Sequence, residues 1–85
     1  MYDFRLTDEL KVKIRKLIKK DKKKVEIINK KIKEIINNDS ITINRYKNLK
    51  YELKDLKRVH IDKHFVLVFN VENKNNLIRF INFDH

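Results

Sequence analysis

Three histidines are the residues of this chain best suited to moving protons: His60 and His64, with three residues between them, and His85. The unperturbed imidazole pKa lies near neutral pH, so one ring can accept a proton while another donates one. Around them stand Lys47, Lys50, Lys54, Lys57 and Arg58, opposed in that segment only by Glu52 and Asp55, with Arg79 further on. Acid–base groups beside cations suit scission of an RNA strand. One group takes the 2′-OH proton, another protonates the departing 5′-oxygen, and the cations stabilise charge building on the phosphoryl oxygens. Two other chemistries use the same residue types. His60 and His64 with Asp62 and Asp84 could hold a metal, but a zinc site would bring tighter ligand pairs, and there is no Cys to help. A Ser/His/Asp triad has no support, because Ser40 is the only serine and falls in a polar turn. No metal and no cofactor is expected. The plain alternative is three incidental surface histidines.

Composition narrows the partners. The chain has 85 residues, which reads as one domain spanning residues 1–85, with 22 Lys and Arg against 12 Asp and Glu and a net charge of +10. A chain of this size buries only about 60–65% of its unfolded surface, so an active site should be an open face rather than a deep cavity. The charge favours nucleic acid or an acidic protein over an anionic membrane. No apolar run reaches the roughly 18 residues of a membrane span, and no signal peptide pattern is present. Without Cys the chain suits the cytoplasm. Without Gly it cannot build a Gly-rich phosphate loop.

The elements that must position these residues can be read from periodicity. Val59 and Ile61, then Phe65 to Phe69, flank a polar Asp62-Lys63-His64 and read as a β-hairpin. A three-residue turn pairs Ile61 with Phe65 and Val59 with Leu67, collecting the bulky apolar residues on one face; a one-residue slip would scatter them. That turn is expected to need a left-handed residue. Arg58 and His60 then share the other face with Val66 and Val68. Upstream, Tyr2 to Leu6 reads as a short edge strand. Thr7 is the expected N-cap of a helix carrying Leu10, Ile14, Leu17 and Ile18, and Asp21 that of a second carrying Val25, Ile28, Ile32, Ile35 and Ile36. Asn37-Asn38-Asp39-Ser40 should end it, Asn standing in for a C-cap Gly. Residues 41–56 read as a basic connector. Pairing Glu72 with Leu77 puts Ile78 and Phe80 in the core and assigns Arg79, Ile81, Phe83 and His85 to the face of Arg58 and His60, with His64 opposite His85. The expected fold is α+β: an N-terminal strand and an antiparallel helical hairpin on one face of a three- to four-stranded antiparallel sheet.

This order resembles the RelE/ParE superfamily of toxins. It is carried by a strand, a helical hairpin, a basic connector with Leu49-Lys50, the run RVHIDKHFVLVF, a polar turn, and a closing strand ending FDH. The histidines bring it nearest to the YafQ-like branch. There His60 matches a histidine, His64 an aspartate position, Lys47 another histidine position and His85 a C-terminal histidine. Arg58 matches a catalytic basic position of the RelE branch, whereas Val66 stands where that branch has arginine. The family usually continues past the FDH position, so an impaired site is an expectation here. The resemblance implies a ribosome-dependent mRNA endonuclease, held inactive in the cytoplasm by an acidic or amphipathic RelB-like antitoxin. Catalysis would fall to His60, His85 and His64, and phosphate contact to Lys47, Lys50, Lys54, Lys57, Arg58 and Arg79. Tyr2, Tyr46, Tyr51 and Phe83 would form open apolar borders for the antitoxin. No contact with DNA by the toxin alone is implied. A ParE-like gyrase inhibitor without nuclease activity, or a non-catalytic basic RNA-binding protein, is the alternative.

Overall fold

Two amphipathic stripes find one sheet face. In the computed structural model, which describes residues 1–49 and 56–84, helix α1 (Asp8–Lys20) and helix α2 (Lys22–Ile36) lie over a mixed sheet. Its strands are β1 (Asp3–Leu6), β2 (Lys47–Asn48), β3 (Leu56–His60), β4 (Val66–Glu72) and β5 (Leu77–Asp84), in the order β1-β5-β4-β3-β2. The five strands exceed the three to four expected. Lys47-Asn48, expected as connector, pairs antiparallel with β3, and β1 pairs parallel with β5, so the sheet is not purely antiparallel.

The helices start where their caps dictate. Thr7 Oγ1 accepts from the Leu10 amide at 3.2 Å, and Asp21 Oδ1 from the Lys24 amide at 3.1 Å. Asn37 does not end α2 in a left-handed cap; its φ is −78°. Instead the Asn38 side-chain amide donates to the carbonyls of Ile35 (2.8 Å) and Glu34 (3.1 Å), satisfying the helix end directly. The core joins Leu10, Ile28, Ile32 and Ile35 to Leu67, Phe69, Ile78 and Phe80, with Ile14, Leu17 and Phe65 partly buried around them. Ile18, expected in the helix stripe, is about half exposed. Ile43, in a 3₁₀ turn at Thr42–Arg45, is fully buried. Tyr2 and Phe83 are buried rather than open borders, Tyr46 is half-buried, and Tyr51 lies outside the described residues.

The hairpin takes the three-residue turn: Val59 pairs with Leu67, His60 with Val66, and the Ile61 amide bonds to the Phe65 carbonyl at 2.9 Å. It needs no left-handed residue. Asp62 Oδ1 accepts from the amides of His64 (2.8 Å) and Phe65 (3.0 Å), so a carboxylate closes the turn where glycine would otherwise be wanted. Among the described residues the only positive φ is at Asn76, in the turn before β5.

The larger departure is a β-bulge. Phe69 pairs with Phe80 but Val68 pairs with Asn82, leaving Ile81 as the extra residue of β5. The Ile81 carbonyl accepts from the Thr7 hydroxyl at 2.6 Å, and the Phe80 carbonyl from the Thr7 amide at 3.0 Å. Beyond the bulge the alternation is reversed: Phe83 pairs with buried Leu67 and joins the core, while Asn82 and Asp84 pair with Val68 and Val66.

Candidate active site on the open sheet face

The face away from the helices gathers part of the expected set. Arg58 and His60 are both exposed on β3. Lys47, also exposed, is the cross-strand partner of Arg58. Residues directly opposite on antiparallel strands stand about 5 Å apart, and alternate residues of one strand about 7 Å apart. Lys47, Arg58 and His60 thus form a compact L of two permanent cations and one titratable ring. Its floor is Val68 beside Arg58 and Val66 beside His60, both small and half-buried. Across Val66 lies Asp84, and across Val68 lies Asn82. A flat floor with cations at its edge can seat a phosphodiester against the sheet, with the imidazole at one side of the phosphorus.

His64 is exposed in the turn that follows β3, its backbone held by Asp62. Asp62 is in turn anchored from the helix layer, where Lys24 of α2 forms an ion pair with it and sets its ammonium 4.6 Å from the centre of the Phe65 ring. Phe65 meets Phe83 edge-on at 5.7 Å, and Lys13 of α1 donates to the Phe83 carbonyl at 3.4 Å. One lysine from each helix therefore holds the end of the sheet that carries His60, His64 and Asp84.

Other expected members stand elsewhere. Lys57 has the opposite alternation from Arg58 and is 7% exposed. Its ammonium donates to the Tyr46 carbonyl at 3.1 Å and to Asn48 Oδ1 at 2.7 Å, and burial pushes its pKa below the ordinary lysine value. Arg79 is on the open face but ion-pairs with Glu72 near the far end of β4 and β5, away from the His60 turn. The Glu72 carboxyl is held below its usual pKa by hydrogen bonds from Asn75 and Arg79. Lys50, Lys54 and His85 lie outside the described residues, so the expected pairing of His64 with His85 does too. Among the described residues no three His, Asp or Glu side chains come together as a metal centre. No helix among them is long and apolar enough to cross a membrane. The regular register expected for β5 put Ile81 and Phe83 on the face of His60; the bulge, which has no mark in the sequence, puts Asn82 and Asp84 there instead. Lys57 did carry a signal, since it shares its strand parity with Val59 and Ile61.

A helical hairpin on one face of a sheet is an architecture shared with solved toxin structures. The YoeB toxin in its complex with YefM from Staphylococcus aureus aligns with 100% of this chain and 97% of its own at a TM-score of 0.77 and 20% identity. Isolated Escherichia coli RelE aligns with 99% of this chain and 83% of its own at 0.75 and 19%. E. coli YafQ covers 99% and 92% at 0.72 and 20%. No family model matches the sequence. Sequence comparison nevertheless finds 47% identity over all 85 residues, and 86% of the relative, with a Methanocaldococcus jannaschii protein called "Putative toxin RelE4". A Methanosarcina mazei protein is likewise 47% identical over the whole chain and 94% of its own length. The chain belongs to the RelE/ParE superfamily of toxins.

Proposed function

We propose that this chain is the toxin of a toxin–antitoxin pair and cleaves mRNA on the ribosome. The observation that carries the reading is the L of Lys47, Arg58 and His60 on one open sheet face. In the proposed reaction an imidazole takes the 2′-OH proton as the 2′-oxygen bonds to the adjacent phosphorus. The bond from phosphorus to the 5′-oxygen breaks, and that oxygen receives a proton from a second group. The products are a 2′,3′-cyclic phosphate and a 5′-hydroxyl. His60 serves as base and His85 as acid, or the reverse, with His64 orienting or replacing His85. Lys47, Lys50, Lys54 and Arg58 hold the phosphate. Lys57 and Arg79 leave this set, the first because it is buried and the second because Glu72 already neutralises it.

The partner is an acidic or amphipathic antitoxin. Val12, Ile18 and Ile27 are exposed on the lysine-rich outer faces of the helices, a surface suited to an acidic amphipathic segment that folds on binding. The solved structures of similar fold include the YoeB–YefM complex and the RelBE toxin–antitoxin complex, which supports a protein partner.

The test is cleavage of mRNA on translating ribosomes, with growth arrest as the cellular readout. General acid–base groups contribute about 10²–10⁴-fold, so His60→Ala loses most of the activity. Wild-type-like cleavage by the double variant His60→Ala/His85→Ala would rule the mechanism out. Inhibition of DNA gyrase without RNA cleavage would give the ParE-type reading instead.

A further inference from the structure

The open face holds a tension that the buried face resolves. Lys47 and Arg58 are direct cross-strand partners, and like charges placed opposite each other push strands apart. β2 is only two residues long, at the edge of the sheet, and both of its residues are exposed. Such a strand should fray. On the other side of the same ladder Asn48 is the partner of Lys57. The Lys57 ammonium reaches the two residues on either side of Lys47: the carbonyl of Tyr46 at 3.1 Å and the side-chain oxygen of Asn48 at 2.7 Å. We propose that Lys57 is a positioning residue, an internal clamp whose buried ammonium grips positions 46 and 48 and so holds Lys47 beside Arg58 on the open face.

Two features favour this task over simple stabilisation. A lysine 7% exposed pays for desolvation, and among the described residues no carboxylate forms an ion pair with it. A leucine or methionine there would stabilise the core at least as well. What those side chains lack is a pair of charge-assisted hydrogen bonds, the stronger kind, directed at the backbone and side chain that flank Lys47. The mechanical half of the proposal needs only the structure; the consequence for RNA rests on the nuclease reading above.

The experiment compares wild type with Lys57→Met, which keeps an apolar stem and loses the donors, and Lys57→Arg, which keeps a donating cation. Amide hydrogen exchange followed by NMR should quicken at least tenfold at Lys47 and Leu49 in Lys57→Met, with the Ile78 and Phe80 amides unchanged. Lys57→Arg should retain most of the protection. Unchanged exchange at Lys47 and Leu49 in Lys57→Met would overturn the clamp whatever the protein binds. The second arm measures anisotropy of a labelled single-stranded RNA oligonucleotide. Lys57→Met should weaken binding several-fold in the wild-type background and have no further effect on Lys47→Ala. Fully additive losses would show that Lys57 does not act through Lys47. Absence of oligonucleotide binding by wild type would show that the open face does not hold RNA off the ribosome, and the exchange result would still decide the clamp.

Discussion

Lys24 of α2 and Asp62 of the β3–β4 turn form an ion pair that joins the helix layer to the segment carrying the histidines. Asp62 is at once the acceptor for the His64 and Phe65 amides, so the same carboxylate closes the turn and ties it to the helix. The two jobs can be separated. Asp62→Asn keeps an oxygen for the amides and loses the charge; Asp62→Ala loses both. Removing the charge should cost about 0.2–1 kcal/mol, the usual range for a partly exposed pair. Removing the acceptor should add about 1–2 kcal/mol for the two amides. Urea unfolding of the two variants measures both.

Thr7 provides a second test. Its oxygen accepts from the Leu10 amide at the start of α1 while its hydroxyl donates to the carbonyl of the bulged Ile81. Thr7→Val removes the cap and orphans that carbonyl, and should lower unfolding stability by about 1–2 kcal/mol. Thr7→Ser should lose far less. A loss in Thr7→Ser with none in Thr7→Val would mean that the methyl group, not the hydroxyl, is what matters.

The hairpin was legible from its residues because Val59, Ile61, Phe65 and Leu67 are bulky and only one register collects them. The helical stripes were legible for the same reason. The bulge was not: Ile81 is equally at home in a regular strand, and the hydroxyl that makes the bulge tolerable sits 74 residues away. Nor was β2, since Lys47-Asn48 has no alternation of apolar residues to announce a strand. Lys57 shows parity and charge in conflict. Its position in the alternation pointed inward and its ammonium outward, and the acceptors on Tyr46 and Asn48 decided for the interior.

Arg58 should be visible in the salt dependence of RNA binding. If it contacts a phosphate, Arg58→Ala lowers affinity across unrelated RNA sequences and reduces the slope of log K against log salt by about one contact, roughly 0.7 for a single strand. Lys11→Ala, on the helix layer, should change neither. A loss of affinity confined to one RNA sequence would mean that Arg58 reads a base.

Acid should weaken the turn between α2 and β2. Backbone amides of Thr42 and Ile41 hold the Asp39 carboxyl below its usual pKa. A carboxyl depressed in the folded state stabilises fully above its unfolded value, near 4, and that contribution fades as pH falls through the lower folded value. Asp39→Asn should therefore unfold earlier than wild type in urea at pH 6, and the gap should narrow as pH falls below the unfolded value.

Lysine burial runs the other way. Because the folded pKa of Lys57 lies below its unfolded value, near 10.4, the cost of its buried charge is complete at neutral pH. It is relieved as pH rises from the folded value towards the unfolded one. Lys57→Met should match or exceed wild type in urea midpoint at pH 7, and wild type should gain on it as pH rises towards the unfolded lysine value.

The parallel pairing of β1 with β5 joins residues 3–6 to residues 77–80. On a ribosome, β1 emerges before both helices and waits until β5 has been synthesised before its partner exists. The helical hairpin can form early from local contacts, but its apolar stripe then has no sheet to cover it. Until the last strand leaves the exit tunnel, the nascent chain shows Leu10, Ile28, Ile32 and Ile35 to whatever is nearby, and the open face with its histidine has not yet been assembled.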